Sequence, residues 1–317
     1  MRSTHLRHML VAAAAGTVLL MTACGNGGGT PVAGSPSDAK KSAAPALTVN
    51  AAIRALLPKK FQDGGVVVVG TPQNNAPVIN KDAASGRLEG IAPEVATALG
   101  QLLGVKFDFQ DVQFPGVIPG LQSHKFDVSM GFLADTKKRQ EVLTFVDLLV
   151  NKSGFIVKKG NPTGFTDLPE ACGHKLGGLQ GGQQVARMQA ADTACRSAGK
   201  PGVEVKQYAS PSDALAQVQS GVIDGYMGPK LALQDTAETA GGGNVFAVLS
   251  PAYPDNPFGI ATAKDNGGLD QAILAAMKEI KTNGAYDRIL TRYGAGEYAL
   301  RPDQVVINGA GTSAFTG

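Results

Sequence analysis

From residue 64 onwards, short apolar runs alternate with stretches whose apolar residues recur at helical spacing. The runs predict strands, and the amphipathic stretches between them predict helices. Thr136 is suited to cap one helix, because its hydroxyl can accept a hydrogen bond from a free backbone N–H. Strands that alternate with helices indicate a largely parallel sheet. In this first part the predicted strands are residues 66–69, 105–109 and 126–130, and the predicted helices are residues 91–103, 115–122 and 136–142.

The same rhythm restarts after Gly160 and predicts a second α/β lobe, with strands at 175–178, 203–207 and 222–227 and helices at 183–196 and 211–220. A last strand (258–263) and two closing helices (269–282 and 285–293) follow without further strands to cover, so we expect them to return to the first lobe. The chain would then cross between lobes twice, near residues 149–153 and 253–258, and form a paired hinge. Open α/β sheets bind ligands at the carboxyl ends of their strands, so the predicted site is the cleft between the lobes.

The N-terminus has the features of an export signal. Arg2 and Arg7 precede the uncharged residues 9–23, which are fewer than the ~20 that a membrane-spanning helix needs. Residues 20–24 resemble a bacterial lipobox, with Met21 where leucine is usual. That resemblance implies that the thiol of Cys24 is diacylated and anchors the protein to the outer face of the bacterial cell membrane.

Residues 24–46 are rich in Gly, Pro and Ser, which predicts a flexible tether. A short helix should follow, with Val49, Ile53, Leu56 and Leu57 on one face and Pro58 at its end. The predicted organisation is a signal peptide (1–23), the tether (24–46), a short helix and linker (47–63), the first part of lobe 1 (64–152), lobe 2 (153–254), the return to lobe 1 (255–300) and a C-terminal tail (301–317).

Composition narrows the possible functions. The chain has 317 residues, of which 43% are hydrophobic, enough to bury the cores of about two domains. Its 29 Lys and Arg against 26 Asp and Glu give a net charge of +3, a balance that does not indicate a nucleic-acid partner. No spacing of Cys and His suggests zinc, and the glycine-rich residues 177–182 lack the pattern of a P-loop or a dinucleotide fingerprint. We therefore expect no metal, no cofactor and no catalytic residues.

The three cysteines fit an exported protein. If Cys24 carries lipid, Cys172 and Cys195 remain, and in an oxidising compartment they are predicted to form a disulfide. Two buried free thiols are the alternative.

Six short motifs occur in a fixed order. They are Gly-Ile-Ala-Pro-Glu (90–94), Ile-Pro-Gly-Leu-Gln (118–122), Lys-Phe-Asp-Val (125–128), Thr-Lys-Lys-Arg (136–139), Val-Leu-Thr-Phe-Val-Asp (142–147) and Leu-Gln-Gly (179–181). Together they resemble family 3 extracellular solute-binding proteins, the receptors of amino-acid importers of the ABC class. The resemblance covers about residues 64–293. It implies an α/β fold of two lobes (the type II periplasmic-binding-protein-like fold), each a mostly parallel sheet flanked by helices, with two hinge crossovers.

The resemblance also implies a ligand site on the first lobe. In that family the Arg of the Thr-x-x-Arg element anchors the solute's carboxylate, and Arg139 matches it; a guanidinium can grip both carboxylate oxygens. Phe114 stands where an aromatic ring usually packs on the solute, and Gly131, Phe132 and Ala134 should line the same wall. Taken without the resemblance, Arg139 fits a solvated helix face and Phe114 fits ordinary core packing.

Three further residues complete the predicted site. Gly182 and Gln183 begin a helix of the second lobe whose free N–H groups favour an anion, although helix capping would also explain Gln183. Asn75 stands where an aromatic clamp is common and could bond a polar solute, but turn formation before Pro77 explains it equally well.

Two departures from the family concern the solute's ammonium group. Members that bind α-amino acids usually present acids at two places that hold Pro72 and Pro229 here. A buried ammonium without an anion costs several kcal/mol. Either another acid moves in, with Asp135 a candidate if it does not simply partner Arg139, or the solute is not a simple α-amino acid.

These expectations combine into one function. The sequence predicts a monomeric, membrane-tethered receptor that closes around a small carboxylate-bearing solute, such as an amino acid or a related polar compound, and delivers it to the permease of an ABC importer. One alternative is a receptor-like lyase or dehydratase, which would need an acid or base in the cleft such as Asp135 or Glu94. The other is a sensory lipoprotein.

Overall fold

The computed structural model describes residues 47–315. In that range the strands are β1 (Val66–Thr71), β2 (Asn74–Asn75), β3 (Ile79–Lys81), β4 (Leu88–Glu89), β5 (Lys106–Asp111), β6 (Val128–Ser129), β7 (Leu143–Lys158), β8 (Lys175–Leu179), β9 (Glu204–Tyr208), β10 (Gly225–Pro229), β11 (Phe246–Val248) and β12 (Tyr253–Ala263). The helices are α1 (Ala51–Arg54), α2 (Lys59–Gly64), α3 (Ile91–Leu103), α4 (Val117–Gln122), α5 (Lys137–Gln140), α6 (Gln183–Ser197), α7 (Pro211–Ser220), α8 (Lys230–Thr239), α9 (Leu269–Thr282) and α10 (Ala285–Arg292).

Two parallel groups of strands are joined through a central antiparallel pair. The sheet order is β5-β1-β6-β12-β7-β10-β8-β9, with β11 on β7. On one side β1 pairs in parallel with β5 and β6, and on the other β8 pairs in parallel with β9 and β10. The molecule therefore has a first lobe around β1 and a second lobe around β8. The strands β7 and β12 lie between the two parallel groups and connect them.

The strands β7 and β12 carry the chain between the lobes. Tyr253 pairs with Ser153 and Phe258 with Leu149, and the register shifts between Asp255 and Phe258. The predicted pair of crossings is therefore confirmed: both lie side by side as hydrogen-bonded strands. The predicted final strand, residues 258–263, covers only the second half of β12.

Helix α3 begins and ends where the sequence predicts. Its C-cap is Gly104, in the left-handed conformation with φ 66°. A side chain is strained at such a φ, and a Cβ at Gly104 would also lie 2.5 Å from Nη1 of Arg54. The buried face of α3, which includes Val95 and Leu99, packs against α9 and α10, so the two closing helices share the first lobe's core.

The N-terminal helix differs from the prediction. It is only four residues long, capped by the side chain of Asn50, and Val49 and Leu56 are exposed rather than buried on its apolar face. The Arg54 guanidinium donates to the carbonyls of Leu103, Gly104 and Gln62, so a polar contact fixes this segment. Pro58 then serves as the N-cap of α2, a helix that the sequence reading missed.

The C-terminal residues up to 315 also pack against the first lobe. Ile307 forms a bridge with Val146, and the side chain of Asn308 accepts a hydrogen bond from the backbone N–H of Phe145. The backbone N–H groups of Gly309 and Ala310 donate to two buried carboxylates. These contacts cover the edge of β7 that leads towards the hinge.

Cys172 and Cys195 form a disulfide in the second lobe, as predicted. The bond ties the loop after β7 to the last turn of α6, and Cys195 is 5% exposed in that lobe's core. The reading as two free thiols is wrong.

We expect Cys195→Ser to lower the free energy of unfolding by about 3 kcal/mol, since the bond closes a loop of intermediate length. Urea unfolding followed by circular dichroism measures the loss. Reducing the native protein should reproduce it, whereas the variant should not respond to reductant. Equal stability of the native protein with and without reductant would contradict the prediction.

The export signal, Cys24 and the tether lie outside the described residues. Between residues 47 and 315, no helix has both the length and the hydropathy needed to cross a membrane.

Candidate functional site

Arg139 lies on a short helix at the edge of the first lobe. The hydroxyl of Thr136 accepts from the backbone N–H of Arg139 at 3.2 Å, which starts α5 as predicted. Lys137 and Lys138 are exposed, while Arg139 is 9% exposed. The solvated-face interpretation thus fits the two lysines and does not fit Arg139.

The Arg139 guanidinium connects the two lobes. Nη1 donates to the carbonyl oxygen of Ala134 at 2.8 Å, and Nη2 donates to that of Gly181, in the second lobe, at 2.9 Å. Burial lowers the pKa of Arg139 to about 10, opposed by the charge of Asp135. The group stays cationic near neutral pH, and its donors face carbonyl oxygens that an anionic ligand could replace.

A small cavity surrounds this guanidinium. Its volume is about 20 Å³, room for one water molecule. The lobes are thus closed on each other, and any larger occupant requires them to separate. The lining residues are Asn75, Phe114, Phe132, Ala134, Arg139, Leu179, Gly182, Gln183, Gln184, Pro229 and Phe258.

The structure brings seven of the eight predicted ligand residues to this one cavity; the exception is Gly131. A Cβ at Gly131 would point towards Thr71 and Ile79, beneath the wall. The sequence reading missed Leu179, Gln184 and Phe258. Of these, Phe258 begins the predicted final strand, and its position beside the hinge was the available signal.

Gln183 stands at the first turn of α6 with one half of its amide unpaired. Its Oε1 accepts from Nδ2 of Asn256 at 3.1 Å. Its Nε2 is buried and has no hydrogen-bond partner among residues 47–315. The N-cap, Gly182, has no side chain to satisfy the helix's free N–H groups. A buried donor without a partner is costly, so this corner of the cavity is suited to an acceptor.

The sequence analysis did not predict the polar network that begins at Gln184. Nε2 of Gln184 donates to Oγ of Ser153 at 2.9 Å, and the Ser153 hydroxyl donates to the carboxylate of Asp255. Arg187 forms an ion pair with the same carboxylate at 2.9 Å. Burial raises the pKa of Asp255, against the lowering effects of Ser153 and Arg187. The network joins α6 to both hinge strands.

Asp135 does not face the cavity. It is fully buried, and its carboxylate accepts from Nε2 of Gln140 at 2.7 Å and from the backbone N–H of Ala310 at 3.0 Å. It influences Arg139 through its charge and forms no hydrogen bond with it. The position of Asp135 therefore does not fit the substitute-acid interpretation.

Only one of the two prolines lies on the cavity wall. Pro229 lines the cavity, whereas Pro72 lines a separate space of about 80 Å³ that Asn75 also lines. Asn75 is both a wall residue of the cavity and part of the β2–β3 pairing, so both of its predicted roles fit its position.

The protein has two α/β lobes that share a pair of crossing strands and enclose the buried guanidinium of Arg139. These features define a solute-binding protein of the type II periplasmic class. The chain belongs to the bacterial extracellular solute-binding proteins, family 3, whose family model matches residues 67–296.

Known proteins and solved structures that resemble this chain support its assignment to this family. The lysine/arginine/ornithine-binding periplasmic protein of Escherichia coli (strain K12) is 28% identical over 233 residues, which cover 72% of this chain and 86% of the relative. An ancestral arginine-binding protein bound to glutamine is 29% identical, with a TM-score of 0.65, covering 73% of this chain and 98% of the other. The ancestral amino acid-binding protein AncCDT-1, a precursor of cyclohexadienyl dehydratase, is 22% identical, with a TM-score of 0.65 and coverage of 75% and 99%, and shows the shared fold alone.

Proposed function

We propose that this protein captures a small carboxylate-bearing solute between its lobes and delivers it to the permease of an ABC importer. The observation that carries the proposal is the Arg139 guanidinium, buried in the cleft and donating to one carbonyl oxygen of each lobe. A carboxylate is the natural partner of such a fork, because charge-assisted bidentate bonds are shorter and stronger than bonds to neutral carbonyls.

Closure follows from contacts with both lobes. A solute bound to Arg139 on the first lobe can also meet Gln183 and the start of α6 on the second. Such a solute binds most tightly when both lobes contact it, so it shifts the population from the open form towards a form closed around the solute. The strands β7 and β12 supply the hinge about which the lobes move.

We further propose that the protein acts as a monomer outside the cytoplasm, held at the cell membrane through a lipid on Cys24. The basic N-terminus, the uncharged run and the lipobox-like residues 20–24 support this placement. The tether that follows would give the lobes reach above the membrane.

We propose binding without catalysis. A lyase or dehydratase would need an acid or base in the cleft, and the sequence candidates lie elsewhere. Asp135 faces the C-terminal segment, and Glu94 accepts from the Tyr293 hydroxyl at 2.9 Å and pairs with Arg292. These positions favour a receptor.

The test is a thermal-shift screen of the purified protein against the standard L-amino acids, 2-oxo acids and other small monocarboxylates. A ligand at about 100 times its Kd adds about 2.7 kcal/mol and should raise Tm by roughly 5–10 °C. Calorimetry should then give one site per chain, and NMR should recover the compound unchanged. No stabilising compound, or conversion of the bound compound to a product, would overturn the proposal.

A further inference from the structure

The cavity wall carries charge of one sign. Among the described residues, the only ionisable side chain on the cavity wall is Arg139. The helices α6 and α8 both begin on that wall, at Gly182 and Pro229, and neither has a capping side chain. Helix N-termini carry partial positive charge, so both of them reinforce the guanidinium.

The nearest acids are held by other partners. Asp255 is bound by Arg187 and Ser153, and Asp135 by Gln140 and the C-terminal segment. Asp111 lies in the separate space beyond Asn75, where its carboxylate accepts from the backbone N–H of Gln73 at 3.2 Å. A cationic group placed beside Arg139 would meet repulsion, and no carboxylate lines the cavity to pair with it.

The rest of the wall is apolar or neutral. Phe132 and Phe258 meet edge to face with centroids 5.5 Å apart, and the Phe114 ring lies 5.8 Å from the Arg139 guanidinium carbon. The free Nε2 of Gln183 is a neutral donor in the same cavity. Once the lobes move apart far enough to admit a solute, these groups can bind an apolar body, one carboxylate and one uncharged acceptor.

We propose that the solute is a monocarboxylate with an apolar body and a neutral oxygen acceptor next to the carboxylate, as in a 2-oxo acid, and that it carries no free ammonium group. This inference rests on the proposed function, since it specifies the solute of the same cleft. The carboxylate binds Arg139, the neighbouring oxygen accepts from Gln183, and the apolar body packs among the three phenylalanine rings. Pro229, on the same wall, carries no charge that could pair with an ammonium group.

Matched pairs of compounds test this directly in the native protein. Calorimetry would compare 4-methyl-2-oxopentanoate with L-leucine, and phenylpyruvate with L-phenylalanine. In the pair that fits the cavity, we expect the 2-oxo acid to bind at least about tenfold more tightly, because only the amino acid buries an unpaired cation. Equal or tighter binding of the amino acid in both pairs would overturn the inference.

A charge introduced at Pro229 provides the second test. Pro229→Asp should move the affinity ratio about tenfold towards the amino acid, since it supplies the missing anion. Pro229→Asn is the matched control: both side chains can cap α8, but only aspartate is charged. An unchanged ratio in a Pro229→Asp protein with native circular dichroism would contradict the inference.

Different results would overturn the proposed function and the inference about the solute. Amino-acid binding that depends on Arg139 would keep the proposed function and overturn the inference about the solute. If no member of either pair and no compound of the wider panel binds, both are overturned.

Discussion

Replacing Arg139 with alanine is expected to weaken solute binding by roughly 100- to 1,000-fold, because two charge-assisted hydrogen bonds are lost. The fold should survive the change. Arg139 donates to two carbonyl oxygens rather than to a buried carboxylate, so its removal leaves no unpaired charge of opposite sign. Calorimetry with the tightest compound of the screen measures the affinity, and circular dichroism checks the fold.

Two companion variants separate charge from geometry. Lys138→Ala removes a neighbouring exposed charge from the same helix and should leave the affinity within about twofold of the native value, as screened surface charges contribute little. Arg139→Lys keeps the charge but loses the planar fork, so its affinity should fall between the native and alanine proteins. Native affinity in Arg139→Ala would exclude the cleft as the carboxylate site.

The parts of the fold that the sequence predicts well are those with local signals. Helix α3 has a proline in its first turn and a glycine at its C-cap, and α7 has a serine N-cap followed by proline, and both match their predicted bounds. The poorly predicted parts depend on tertiary contacts. The strands β2 to β4 are only two or three residues long, and β7 is buried along nearly its whole length, so it lacks the alternation that marks a strand.

The candidate site shows the same contrast between residues with a signal in the sequence and residues that depend on tertiary contacts. Residues inside the ordered motifs, such as Arg139, or just before one, such as Phe114, could be placed near one another through a resemblance that already implies the fold. The network of Gln184, Ser153 and Asp255 could not, because its members come from α6 and both hinge strands and meet only when the chain has crossed between lobes twice. No local pattern marks such a contact.

Apart from that network, two carboxyl groups, those of Asp135 and Asp147, are fully buried beneath the C-terminal segment. Oδ2 of Asp147 accepts from the backbone N–H of Gly309 at 3.1 Å, and the Asp147 side chain also hydrogen-bonds with that of Asp135. Burial, followed by the charge of Asp135, raises the pKa of Asp147 from 3.8 to about 8. Burial also raises the pKa of Asp135. The pair therefore retains a proton at neutral pH, and folding binds that proton.

The sign of the resulting pH dependence is fixed by this proton uptake. A carboxyl whose pKa is higher in the folded than in the unfolded state stabilises the fold at low pH. That stability is lost as pH rises from the unfolded towards the folded pKa, here between about pH 4 and about pH 8. Over that window Asp147 contributes a loss of roughly 5 kcal/mol, scaled from 1.36 kcal/mol per pKa unit.

Asp147→Asn should remove most of this loss. The amide keeps an acceptor for Gly309 and cannot ionise, so the variant should match the native protein near pH 4 and exceed its free energy of unfolding by roughly 5 kcal/mol near pH 8. Urea unfolding at several pH values gives the difference between the two curves, in which other titrating groups cancel. Glu141→Gln, the same change at an exposed site, should run parallel to the native curve. If Asp147→Asn also runs parallel, Asp147 is ionised in the folded protein, and the C-terminal segment is held by a charged carboxylate instead of a proton-sharing pair.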